Sequence, residues 1–182
     1  VGLAVFGTNS EANSLAVKER IALLEALVGA GVDPSIMMPG TGCCSLPDTV
    51  ELTRHAVTSG CAGALMLPPF FYKNVPDDGL VRYFSEVIER VRDSRLRVYL
   101  YHIPPVAQVP ITPGVIERLI ARYPDTIAGI KDSSGDWAHT EILLRNFQSE
   151  KFDVFCGSEV FLLQTLRGGG AGSITATGNV NP

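Results

Sequence analysis

The sequence is poor in the residues that hold metals. Its three histidines, His55, His102 and His139, are scattered, and no two stand four apart, which argues against a histidine-held metal site. Four cysteines, Cys43, Cys44, Cys61 and Cys156, show no CxxC spacing. The adjacent pair is a poor disulfide framework, so all four are expected as reduced, mostly buried thiols of a cytoplasmic protein. Positive charge is in deficit: 15 Lys and Arg face 19 Asp and Glu, a net charge of -4, which speaks against a nucleic-acid surface. No apolar run reaches the roughly 18 residues of a membrane span. A GxGxxG turn is missing after the first apolar run, where GTNSEA stands instead, so a dinucleotide-binding sheet is not expected. An initial Met is missing too. The chain opens in VGLAVFG and closes in Val180-Asn181-Pro182, and both ends read as cut from a longer chain.

What is present is a regular alternation. With 46% hydrophobic and 19% charged residues, the 182-residue chain can build one sizeable core. Short apolar runs at residues 1–6, 35–38, 62–67, 96–101, 126–130, 152–156 and 171–176 read as strands buried on both faces. Between them lie helical patterns. Ile21, Leu24, Leu27 and Val28 recur at helical spacing up to Gly29 and Gly31, and Asp48 opens a helix that stops at Gly60. Leu80, Tyr83, Phe84, Val87, Ile88 and Val91 line one helical face, and Thr112-Pro113 is a good helix start. Helices are also expected through residues 140–147 and up to Leu166. Alternating strands and helices predict right-handed βαβ units and a parallel sheet, as an open doubly wound fold or a (β/α)₈ barrel. Gly168 to Gly172 precedes its strand and reads as a helix cap and tight turn.

The polar residues of interest follow the strands: Thr8, Asn9, Thr41, Tyr72, Tyr101, Lys131, Ser158, Thr177 and Asn179. In a (β/α)₈ barrel they would converge on one mouth, where active sites sit. The seven runs are one strand short, and a strand before Val1 would close the barrel. Lys131, in TIAGIKDSSGD, stands where a buried strand stops. Desolvation there disfavours the charged amine and leaves a nucleophile suited to a ketone or aldehyde carbonyl. The alternative is a lysine that snorkels out to pair with a carboxylate such as Asp132. Tyr101 lies two residues after Tyr99, on the same face of a regular strand, and a phenol beside a lysine can relay protons. Thr8 and Asn9 offer hydroxyl, amide and backbone N–H groups to a carboxylate, or form a turn with no ligand.

The ordered set GTNSE, PPFFYK, YHIPP, GIKDSSGD and GGGAGSITATGN resembles the dihydrodipicolinate synthase / N-acetylneuraminate lyase family of class I pyruvate aldolases, over nearly the whole chain. The resemblance implies one incomplete (β/α)₈ barrel domain over residues 1–182. It would cover strands 2–8 of a barrel whose strand 1 and C-terminal helices are absent, in a usually homotetrameric protein. Residue by residue, Lys131 matches the Schiff-base lysine and Tyr101 the proton-relaying tyrosine of YxxP. Thr8 matches the first hydroxyl that grips the pyruvate carboxylate, with Asn9 in the second hydroxyl's place and Ser10 where Gly is usual. Ile174, in GSITATGN, joins the substrate-binding set. The family's second tyrosine, which reaches a neighbouring subunit's site, falls in Phe70-Phe71-Tyr72. Alignment puts Phe71 on it, and Tyr72 is the candidate that keeps a phenol. Where dihydrodipicolinate synthases place an Arg after YNxP to bind an acidic aldehyde, this chain has Val106, which implies a neutral or hydroxylated acceptor.

The implied activity is a carbon-carbon lyase that joins pyruvate to an aldehyde, or cleaves a 2-oxo acid, through an imine on Lys131, with no cofactor and no metal. Its partners are pyruvate or another 2-oxo acid, an aldehyde and further copies of the chain, with neither nucleic acid nor membrane. Three other readings stay open. One is a 2-keto-3-deoxy sugar acid dehydratase or aldolase using the same imine. A second is a barrel that binds 2-oxo acids without turnover. A third is a phosphate-binding isomerase, for which Gly178 and Asn179 are a thin candidate loop. A barrel lacking a strand exposes two unpaired edges, so the isolated 182-residue chain is expected to be unstable.

Overall fold

A computed structural model describes residues 2–181 of the chain; Val1 of the expected first strand and Pro182 lie outside the described residues. Five parallel strands form one sheet: β1 (Ala64–Met66), β2 (Val98–His102), β3 (Ile127–Asp132), β4 (Asp153–Cys156) and β5 (Gly172–Ser173). Their spatial order is their chain order, β1-β2-β3-β4-β5. A doubly wound sheet reverses direction at a switch point; this one keeps adding strands on one side, as a barrel wall does.

Two of the seven expected strands appear only as single bridges. Leu3 bridges Met37 and Gly40 bridges Leu65, both in parallel, so these segments continue the sheet beyond β1 without forming ladders. The reason is local. Phe6 adopts φ 59°, a left-handed conformation costly for a bulky residue, and turns the first segment away after Val5. Asp33 accepts a hydrogen bond from the Ser35 N–H and starts a 3₁₀ turn over Pro34–Ile36, which consumes the first half of the expected second strand. The last strand is shorter than its apolar run suggested, because Ala176 already belongs to the start of a 3₁₀ turn at Thr177–Asn179.

Among the described residues there are seven α-helices: α1 (Val17–Gly29), α2 (Leu46–Thr58), α3 (Asp77–Val91), α4 (Pro104–Ala107), α5 (Pro113–Arg122), α6 (Trp137–Phe147) and α7 (Leu162–Arg167). Ser45 rather than Asp48 caps α2, accepting from the Asp48 N–H. The Thr112 side chain caps α5 as expected, accepting from the Val115 N–H. The main core lies between strands and helices. Val98, Leu100, Ile127, Ile130 and Val154 meet Leu80, Phe84 and Val87 of α3, Ile116 and Leu119 of α5, and Leu143 and Leu144 of α6. No helix among the described residues is long and apolar enough to cross a membrane.

One irregularity sets the register. Val98 pairs with Ile127 but Tyr99 pairs with Gly129, so β3 holds one extra residue, Ala128, against β2. This bulge brings Tyr101 opposite Lys131 and His102 opposite Asp132. Alternation along each strand then sends Tyr99, Tyr101, Gly129 and Lys131 to the face away from the helices. Gly129 and Gly63 flank the Tyr99 ring there. A Cβ on Gly129 would come within 2.8 Å of Tyr99 Cδ1, and one on Gly63 within 2.7 Å of Cε2. Glycine at both positions makes the slot that this ring fills.

Candidate active site

Lys131 lies inside β3 rather than just past its end, and only 6% of it is exposed. Its Nζ sits 4.2 Å from the centroid of the Tyr101 ring, over the face of a neighbour on β2. Among the described residues it forms no ion pair. The alternative of a lysine neutralised by Asp132 is therefore not what the fold builds, because Asp132 is the next residue along the strand and points to the opposite face. Its carboxylate accepts from the Ser134 N–H at 3.0 Å, the Thr140 hydroxyl at 2.6 Å and His139 Nδ1 at 3.1 Å.

Tyr101 is 3% exposed, and its hydroxyl is 3.0 Å from Thr8 Oγ1. Residues far apart in sequence are thus joined in one line: the hydroxyl of Thr8, the phenol of Tyr101 and the amine of Lys131. The strained turn at Phe6 delivers Thr8 to this place. A cavity of about 20 Å³, room for about one water, opens beside Thr8 and Tyr101 and is bounded by Gly40, Gly42, Leu65 and Leu67. Below Tyr101 the floor is Tyr99, whose hydroxyl donates to Asp153 Oδ2 at 3.1 Å. Burial and that carboxylate push the Tyr99 phenol up to about 12, so it stays protonated at neutral pH.

The other expected site residues are not gathered with these three. Asn9 is exposed in the 3₁₀ turn Thr8–Ser10. Tyr72 is 77% exposed and Phe71 72% exposed, their rings meeting edge to face at 5.1 Å. Ile174 follows β5 directly, half-buried, and its N–H donates to the Cys156 carbonyl. Val106 is 63% exposed in α4. The cysteines are all free, as expected, but only Cys156 is buried; Cys43 and Cys61 are half-buried and Cys44 is exposed.

Two of the scattered histidines meet in space, which their spacing did not suggest. His102 and His139 stack with centroids 4.4 Å apart and planes 11° from parallel, beside Asp132. The only hint in the sequence was position: His102 follows Tyr101 and Asp132 follows Lys131, so the two must share the face behind the site. The three side chains could in principle hold a metal ion. However, His102 Nδ1 accepts the Ile111 N–H at 3.0 Å, which leaves the ring hydrogen on Nε2, the atom facing Asp132. A nitrogen that carries a hydrogen is no ligand, so the set does not fit a cation.

Comparison with known proteins finds relatives along the whole chain. An uncharacterised DapA-like lyase of Chloroflexus aurantiacus is 38% identical over 181 residues, covering all of this chain and 59% of that relative. The crystal structure of dihydrodipicolinate synthase from Agrobacterium tumefaciens matches with a TM-score of 0.93 at 35% identity, covering 98% of this chain and 61% of the other. YagE of Escherichia coli K12, named a putative 2-dehydro-3-deoxy-D-gluconate aldolase, is 33% identical over 184 residues. Its crystal structure in complex with pyruvate matches with a TM-score of 0.86 at 31% identity, covering 98% of this chain and 59% of the other. The chain thus spans about 60% of the length of these relatives. The Dihydrodipicolinate synthetase family matches residues 1–182 throughout, and the chain belongs to that family.

Proposed function

We propose that this chain carries the reacting groups of a Schiff-base lyase that acts on pyruvate or another 2-oxo acid. The observation that supports it best is the buried Lys131 amine, in no ion pair among the described residues and lying over a phenol whose hydroxyl reaches Thr8. In this reading the Lys131 amine attacks the C2 carbonyl, and the carbinolamine loses water to give a protonated imine. The imine draws electrons from C3, so that a C3 proton can leave to give an enamine, which adds to an aldehyde; the reverse sequence cleaves a 2-oxo acid. Tyr101 carries protons to and from the oxygen that departs as water. Thr8, with Asn9 and the backbone near Ile174, orients the carboxylate. The imine is itself the electron sink, so the reaction calls for no cofactor.

The sheet order and the likeness to longer relatives support the finer reading of residues 1–182 as strands 2–8 of a (β/α)₈ barrel. The exposure of the Phe71–Tyr72 pair supports a homotetramer in which Tyr72 would serve a neighbouring subunit's site; the assembly is expected in the cytoplasm. A second reading, a 2-keto-3-deoxy sugar acid aldolase or dehydratase, is favoured by Val106, which offers no cation to an acidic aldehyde, and by the likeness to YagE. Borohydride reduction of the full-length protein with pyruvate, followed by peptide mass spectrometry, tests the shared core. A pyruvate adduct on the Lys131 peptide is expected. Its absence from folded protein would overturn the Schiff-base reading and favour a binding barrel.

A further inference from the structure

The faces of β2 and β3 carry different chemistry one residue apart. Tyr101 and Lys131 face away from the helices; His102 and Asp132, paired with each other in register, face them. Both are 3% exposed. Asp132 is held by four donors: the Ser134 N–H and hydroxyl, the Thr140 hydroxyl and His139 Nδ1. His102 ties in the segment before α5 by accepting the Ile111 N–H, while its backbone carbonyl accepts the Ser133 N–H at 2.7 Å. The ends of both reacting strands, the start of α5 and the start of α6 are therefore fastened at one point.

We propose that His139 is a positioning residue for the lysine chemistry: bonded to Asp132 and stacked on His102, it holds the ends of β2 and β3 from behind, so that Tyr101 and Lys131 stay opposed in front. The inference rests on the Schiff-base reading above. His139 is where solution pH reaches this network, since its side chain is 23% exposed whereas those of His102 and Asp132 are 3% and 0% exposed. The groups around it are few. Asp132 faces it from β3 and His102 from β2, and Asp136 caps its own helix. Beyond them, β4 brings Cys156, the register partner of Asp132, and α7 has one charge, Arg167, in its last turn.

The hydrogen bond and charge of Asp132 raise the His139 pKa, whereas burial lowers that of His102 to about 4. Of the two imidazoles, His139 is thus the one whose charged form the surroundings favour. As pH rises through its raised value, the bond to Asp132 changes from charge-assisted to ordinary, and the opposed pair in front loosens.

Exchange of deuterium from D2O into the methyl group of pyruvate, followed by NMR on the full-length protein, reads imine and enamine formation with pyruvate as the only probe. The wild-type kcat for exchange is expected to fall about fivefold on the alkaline side, with an inflection above the ordinary histidine value. His139→Asn keeps a donor where Nδ1 stands but does not titrate. It should hold kcat near the alkaline plateau of the wild type, about fivefold down, at every pH and so lose that limb, whereas His139→Ala, with no donor, should lower kcat further, by about tenfold or more, with KM for pyruvate unchanged. An alkaline limb that survives in His139→Asn, or a wild-type kcat in His139→Ala, would overturn the inference. If His139→Ala does not fold, the His139→Asn profile decides alone. Borohydride trapping on each protein separates the two levels. A Lys131 adduct with unchanged exchange in His139→Ala overturns only the positioning role, whereas no adduct in wild type overturns the Schiff-base reading beneath it.

Discussion

Replacing Tyr101 by Phe separates chemistry from architecture at this site. The ring remains, so the face beneath the Lys131 amine, 4.2 Å from its centroid, is kept together with its packing at 3% exposure. Only the hydroxyl goes, and with it one hydrogen bond, 3.0 Å long, to Thr8. Thr8 is exposed and its freed hydroxyl can turn to water, so no buried donor is stranded. The stability cost should be about 1 kcal/mol or less. If the phenol relays protons during imine formation, its loss should slow pyruvate exchange at least ~100-fold, about 2.7 kcal/mol of barrier. A merely structural role could not do this, because a fold weakened by ~1 kcal/mol still leaves nearly all molecules native. The assay is methyl-proton exchange of pyruvate beside an unfolding curve for the same protein. Exchange within threefold of wild type, with the Lys131 adduct still trapped, would refute the relay.

Gly129→Ala should cost about 1–3 kcal/mol in an unfolding curve, because its Cβ would come within 2.8 Å of the Tyr99 ring and also strike the Asp153 backbone. The pH dependence of stability should carry a signature of His102, whose pKa is lowered to about 4, first by burial. For a base with a depressed folded value, stability is fully present above the unfolded value near 6.5 and is lost as pH falls toward 4. The loss should be about 3 kcal/mol and should shrink in His102→Asn, as read by urea midpoints across that range. Val106→Arg should lower KM for an aldehyde bearing a carboxylate by roughly 10-fold or more and leave neutral aldehydes unaffected. Steady-state kinetics with the two aldehyde classes check this.

Much of the fold was legible because buried strands and amphipathic helices announce themselves by period. The apolar face around Phe84 showed which side of α3 meets the sheet, and Thr112-Pro113 located the start of α5. The outer strands were not legible. Whether residues 1–6 form a ladder depends on the backbone at Phe6, and a left-handed phenylalanine leaves no mark in composition. At the site, Lys131 and Tyr101 were readable from their place near strand ends. The proximity of His139 was not, since it sits on a helix and reaches Asp132 only after α6 has docked on the sheet.

The extra residue in β3 has a consequence for how this site can be searched and altered. Side chains alternate, so closing the bulge with Ala128 kept, paired opposite Tyr99, would place Lys131 opposite His102 and Ile130 opposite Tyr101, where the amine now stands. The amine would be handed to the hydrophobic layer with no contact residue altered. A scan that substitutes only Lys131, Tyr101 and Thr8 would miss this dependence. The contribution of Ala128 is one of counting: deleting it leaves Ile127 opposite Val98 and Gly129 opposite Tyr99, so the amine keeps its place, whereas a ladder that takes Ala128 in turns the amine to the other face.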